Sequence, residues 1–194
     1  MRFVETSLGG AYLVEPEPVT DVRGSFARTY CRRDFAEFGI DFEIAQMSVS
    51  YNALAATLRG LHFQLPPFEE AKLVSCVRGA LVDVMVDLRP GSDSFGAWHA
   101  EELSARNGRM LFIPQGFAHG FQTLSDDTLV TYAISTPYVQ EASAGVRWDD
   151  PQLGIQWPSS DDRIISERDR TLPYLADVDT WPRDYVRSAS PERR

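Results

Sequence analysis

Residues 73–88 constrain the fold more than any other stretch of this chain. Two β-type runs, Leu73 to Val77 and Leu81 to Leu88, are joined at Arg78-Gly79, and the second closes on Arg89-Pro90-Gly91-Ser92, a dense turn signal. In the second run Val82, Val84, Val86 and Leu88 alternate with Leu81, Asp83, Met85 and Asp87. One face is wholly apolar and the other mixed, as expected of a strand whose two sides meet different surroundings. Similar short runs recur at Gly10 to Val14, Gly24 to Tyr30, Ala45 to Tyr51, Trp98 to Leu103, Arg109 to Ile113, Gly120 to Thr123 and Leu129 to Ser135, with one short helix near Arg33 to Phe38. Strands so spaced read as an all-β sandwich or barrel. Past Tyr138 the chain turns rich in Asp, Pro, Trp and Ser, as in Trp148-Asp149-Asp150-Pro151 and Ile155-Gln156-Trp157-Pro158, and reads as ordered loops and short helices wrapped around the barrel.

At 194 residues, 43% of them hydrophobic, the chain fits one domain, residues 1–180, followed by a polar tail, 181–194, that carries Arg187, Arg193 and Arg194. A net charge of -9 and a pI near 4.8 argue against a nucleic-acid partner, which would need a basic face to neutralise phosphates. An anionic small molecule stays open wherever arginines gather. No apolar run is long enough to span a membrane, and no secretory signal opens the chain, so the expected compartment is the cytoplasm. Cys31 and Cys76, far apart and without a cluster of metal-type partners, read as free thiols of a reducing environment.

Two of the three histidines stand in Gly- and aromatic-rich segments: Arg59-Gly60-Leu61-His62-Phe63-Gln64-Leu65-Pro66-Pro67 and Ile113-Pro114-Gln115-Gly116-Phe117-Ala118-His119-Gly120-Phe121. Histidine's unperturbed pKa, about 6.5, lies nearest neutrality of all side chains, so these segments point to a site that moves protons. Taken singly, a histidine between Leu61 and Phe63 is more often a hydrogen-bonded core residue.

With those segments in view, the chain resembles the dTDP-4-dehydrorhamnose 3,5-epimerase family, the RmlC type of cupin-like jelly-roll β-barrel with a few short helices. The resemblance runs from about Asp21 to Pro173. It is carried by Asp21-x-Arg23-Gly24-x-Phe26, Leu58-Arg59-Gly60-Leu61-His62-Phe63-Gln64, Lys72-Leu73-Val74, Asp83-Val84-x-Val86-Asp87-Leu88-Arg89, Ile113-Pro114-x-Gly116-Phe117-Ala118-His119-Gly120-Phe121, Trp148-x-Asp150-Pro151 and Ser166-x-x-Asp169. It implies an isomerase that inverts C3, C5 or both in a nucleotide-linked 4-keto-6-deoxyhexose through an enolate, without metal or other cofactor. By the same resemblance His62 is the base, Asp169 its carboxylate partner, Tyr132 the acid, and Lys72 the group that stabilises charge on the C4 oxygen.

By the same resemblance Arg23 and Arg59 are the diphosphate and sugar contacts, a planar guanidinium fork suiting phosphate oxygens, and Arg168 is a further substrate-binding residue. Gln46, His119 and Tyr138 resemble further substrate contacts, and the glycines around His119 would let backbone approach a ligand. The resemblance also implies a homodimer built through strands near the N-terminus. Three positions depart from the family's usual residues: Arg28 and Ser143 stand where Glu is usual, and Ser48 where Asn is common. They touch the binding shell, leaving open the nucleotide, the sugar and whether one centre or two are inverted. Two other readings compete. A metal-dependent cupin would show a His-x-His pair followed by an acidic residue, whereas His62 is followed by Phe63-Gln64. A binding protein on the same fold would need no acid and base.

Overall fold

The turn-punctuated runs fold into two facing sheets that share an apolar layer, a jelly roll in a computed structural model that describes residues 1–177. Its strands are β1 (Arg2–Glu5), β2 (Tyr12–Glu15), β3 (Val19–Asp21), β4 (Gly24–Phe26), β5 (Gln46–Asn52), β6 (Thr57–Gln64) and β7 (Lys72–Arg78). There follow β8 (Ala80–Asp87), β9 (Trp98–Ser104), β10 (Met110–Ile113), β11 (Phe117–Thr123), β12 (Thr128–Ile134), β13 (Ser143–Gly145) and β14 (Ile164–Ile165). Two short α-helices, α1 (Arg32–Glu37) and α2 (Glu167–Arg170), complete the regular structure with two 3-10 turns. One sheet runs β1-β2-β10-β7-β12-β5, and the other β13-β6-β11-β8-β9 with β14 parallel beside β6. The hairpin β3-β4 pairs only with itself. The tail expected over 181–194, and the boundary at 180, lie outside the described residues.

Arg78-Gly79 is therefore a crossing between sheets rather than a hairpin turn, since β7 belongs to the first sheet and β8 to the second. This crossing decides which face of β8 looks inward. Leu81 and Met85, on the mixed face, join Val74, Leu111, Phe117, Phe121 and Val130 in the layer between the sheets. Val84 and Val86, on the wholly apolar face, point outward and pack with Leu61, Phe63 and Ala118 against Val146, Leu153 and Leu175 of the C-terminal segment. That segment wraps the second sheet as expected. Its apolar residues contribute about 1.5–3 kcal/mol apiece when fully buried.

The first sheet gets its outer cover from α1, whose Phe35 meets Phe42 and Phe112 at centroid distances of 5.8 Å each. Three local readings need correction. The run from Gly24 ends as a strand at Phe26, because Ala27 onward leads into α1 without pairing. β1 and the His62 segment β6 are strands that composition disguises. His119 lies within β11, which starts at Phe117 rather than at Gly120, and the glycines near it are also needed for chain packing: a Cβ on Gly116 would come 2.6 Å from Arg89 Cγ, and one on Gly120 2.7 Å from the Arg59 carbonyl. Among the described residues no helix is long and apolar enough to cross a membrane, and Cys31 and Cys76 are free.

Candidate active site

Alternation along the strands sends polar residues into the interior at intervals between apolar ones. β11 presents Phe117, His119 and Phe121 on one face, β12 presents Val130 and Tyr132, and β7 presents Lys72, Val74 and Cys76. The polar members meet in a cavity of about 410 Å³ between the sheets. Eight of the ten expected site residues line it: Gln46, Arg59, His62, Lys72, His119, Tyr132, Tyr138 and Arg168.

Asp169 stands directly behind His62. Its Oδ1 is 2.8 Å from His62 Nε2, and its Oδ2 accepts the Gly60 N–H at 3.1 Å. The motif Ser166-x-x-Asp169 explains the aim. Ser166 caps α2, its hydroxyl accepting the Asp169 N–H at 3.1 Å, which fixes the carboxylate as the helix begins. Burial works to raise the Asp169 pKa, but the His62 hydrogen bond and charge, with the Gly60 N–H and Ser166, outweigh it and hold the carboxyl below its ordinary value. An ionised carboxylate only accepts, so His62 Nε2 carries the hydrogen, and in the neutral ring this tautomer has its lone pair on Nδ1. The His62 side chain is 37% exposed, open to the cavity.

β6 and β11 run antiparallel with His62 opposite His119 and a register shift one residue on, where Gly60 and Gly120 touch. A Cβ on Gly60 would stand 2.6 Å from Gly120 Cα, and its φ of +123° lies in the region that favours glycine. His119 has a carboxylate of its own. Its Nε2 is 2.7 Å from Oδ1 of the fully buried Asp83. On the first sheet Tyr132 meets the His119 ring edge-on at 6.0 Å. Burial chiefly, then the charge of Asp83, push the Tyr132 phenol well above its ordinary pKa, against smaller opposing effects of Arg59 and Ser50.

Lys72 Nζ contacts Glu70 Oε1 at 2.9 Å, both side chains nearly buried in the cavity wall. Arg59 donates through Nε to Asn52 at 2.8 Å, and Arg168 through Nη2 to Ser143 at 2.8 Å. Gln46 accepts the Tyr138 N–H at 2.9 Å, and Gln64 the Val139 N–H at 2.6 Å, so two glutamines hold the segment that bears Tyr138. Ser48 and Ser143 also line the cavity, whereas Arg28 pairs with Asp34 at 3.4 Å away from it.

Arg23 is the expected residue that the fold does not bring to this cavity. It sits on the β3-β4 hairpin with its side chain 86% exposed, paired to Asp21. Sequence reasoning also passed over Glu70 and Asp83 as site members. Glu70 offered a weak signal two residues before Lys72, and Asp83 opens the motif Asp83-Val84-x-Val86-Asp87, which marked the family without giving it a place in the site. Among the described residues no group of three or more His, Cys, Asp and Glu is arranged to hold a metal ion.

Residues 5–177 match the family model for dTDP-4-dehydrorhamnose 3,5-epimerase. The chain belongs to that family. It is 47% identical over 171 residues to the dTDP-4-dehydrorhamnose 3,5-epimerase of Methanothermobacter thermautotrophicus, covering 87% of this chain and 91% of that one. Two solved members superpose closely. The Bacillus anthracis epimerase, with TDP and PPi bound, gives a TM-score of 0.87 at 42% identity over 90% of this chain and 99% of its own. The Legionella pneumophila dTDP-6-deoxy-D-glucose-3,5-epimerase, in complex with dTDP-4-keto-L-rhamnose, gives 0.88 at 34% identity over 94% and 97%. The family match thus takes in every element from β2 to α2 and both histidine segments.

Proposed function

We propose that this chain is an epimerase acting on a dTDP-linked 4-keto-6-deoxyhexose of the dehydrorhamnose type, inverting C3, C5 or both by acid-base proton transfer without a metal or other cofactor. The observation that carries the reading is the pairing of His62, on one sheet, with Asp169 of α2, the His62 side chain opening into the same cavity as Tyr132 on the other sheet. Hydrogens on C3 and C5 flank the C4 ketone. His62 takes one through Nδ1, the C–H electrons pass to the C4 oxygen, and an enolate forms. Lys72 stabilises that oxyanion, a service worth about 3 kcal/mol from one well-placed donor. Tyr132 then returns a proton to the carbon from the opposite side, and inversion follows. A phenol whose pKa is raised stays protonated across the working range, which suits an acid.

Arg59 and Arg168 receive the diphosphate and sugar, with Gln46, His119 and Tyr138 as further contacts. Arg23 reaches the substrate from a second copy of the chain in a homodimer. Its support is the exposed hairpin around it, where Val19, Val22 and Phe26 are 75%, 104% and 79% accessible, and the edge strand β5, where Met47, Val49 and Tyr51 are exposed. Apolar surface of this kind on a sheet edge invites pairing. We take residues 1–180 as one catalytic domain and the cytoplasm as its compartment, where free thiols persist. Incubation with dTDP-4-keto-6-deoxyglucose in deuterated water tests the reading. It expects deuterium at C3, C5 or both together with inverted product, and label at neither carbon would overturn it.

A further inference from the structure

Asp83, central in β8, is wholly buried and has no part in the reactions described so far. Its side chain lies on the inward face of β8, between Leu81 and Met85 of the apolar layer. Oδ1 is held by His119, while Oδ2 has no hydrogen-bond partner among the described residues. A buried carboxylate oxygen without a partner costs stability, and a native fold that keeps one calls for an explanation. β8 and β11 are adjacent strands, with Asp83 opposite Phe121 and His119 two residues further along. From there His119 meets Tyr132 edge-on at 6.0 Å.

We infer that Asp83 is a positioning residue for the acid side of this site, orienting His119 against Tyr132 and making the wall behind the phenol negative. The inference rests on the reading of Tyr132 as the acid. The groups that share the cavity with Tyr132 are His119 from β11, Arg59 and His62 from β6, and Lys72 of β7 with Glu70 beside it. Of the charges, that of Asp83 raises the phenol's pKa most after burial itself, while Arg59 works against it. The histidines of two His-Asp pairs thus stand on adjacent strands, but they differ in task. His62 is open to the cavity and takes protons, whereas His119, 6% exposed, serves as a rigid support between a buried anion and the phenol.

Asp83→Asn keeps the size and an acceptor for His119 while removing the charge. It should lower kcat for inversion about tenfold with KM little changed, in keeping with a charge-assisted contact. In protein labelled with 13C-tyrosine, and with Tyr132→Phe assigning the signal, the Tyr132 ring-carbon shifts of Asp83→Asn at neutral pH, where the phenol is protonated, should differ from those of the wild type because the neighbouring charge is gone. Coincident Tyr132 shifts together with an unchanged kcat would overturn the assignment, even if the variant melts earlier. Should Asp83→Asn fail to fold, 15N shifts of the His119 imidazole in the wild-type protein serve instead. They should show hydrogen on Nε2, and an unprotonated Nε2 would overturn the assignment. Wild-type protein that exchanges no substrate hydrogen would remove the functional reading and this one with it, whereas normal exchange with coincident Tyr132 shifts and an unchanged kcat in Asp83→Asn removes this one alone.

Discussion

Both oxygens of Asp169 are committed, one to His62 and one to the Gly60 N–H, so a single side chain fixes the imidazole's tautomer and ties α2 to β6. His62→Ala or Asp169→Ala should abolish hydrogen exchange from the substrate while binding, measured by calorimetry with dTDP, survives. Undiminished exchange in His62→Ala would remove it as the base. The depressed pKa of Asp169 also has a stability consequence. A carboxyl lowered on folding contributes stability that is present above its unfolded pKa, about 3.9, and is lost as pH falls through the folded value. The stability gap between wild type and Asp169→Asn in urea titrations should therefore be full at pH near 7 and shrink well below pH of about 4. At this scale most residues with motif neighbours were legible in sequence. Asp83, though in a motif, was not legible as a site member, since it finds its partner 36 residues away across a strand pair, and Glu70 only becomes a wall residue once β7 is aligned.

β6 shows why elements read less well than motifs. Its eight residues hold a glycine and two cationic-type side chains, and Pro66-Pro67 follows soon after its end, a pattern that looks like a loop in one dimension. Only its place between β11 and β13 makes it a strand. The faces of β8 were distinguished correctly as different, and the mixed one is the interior, where Leu81 and Met85 join the layer between the sheets and Asp83 pairs with His119, while the C-terminal wrap supplies an apolar cover outside. Two substitutions test these elements. Gly60→Ala should cost about 2–4 kcal/mol in denaturant titrations, since its Cβ would collide with Gly120 at a positive φ. Ser166→Ala removes the α2 cap and should cost about 1 kcal/mol. It should also slow exchange, because Asp169 loses the turn that aims it. An unaltered exchange rate would mean that β6 alone holds the carboxylate.

For the whole molecule, an all-β sandwich or barrel and the wrapping segment were legible from turn spacing and composition, the jelly roll only from the family resemblance, and for assembly a single chain shows only which apolar groups it leaves uncovered. The exposed hairpin β3-β4 and the edge β5 predict a dimer at micromolar concentration by sedimentation. Met47→Lys with Val49→Lys should dissociate it and lower activity, as Arg23 would then be absent from the neighbouring site. A fully active monomer would count against that arrangement. The central claim, that protons leave and arrive from opposite sides of the sugar, is tested most directly by Tyr132→Phe in deuterated water. This variant keeps the ring and removes the phenolic proton, so His62 should still exchange substrate hydrogen on its own face while inverted product becomes scarce. Inversion at a rate near that of the wild type would contradict the account.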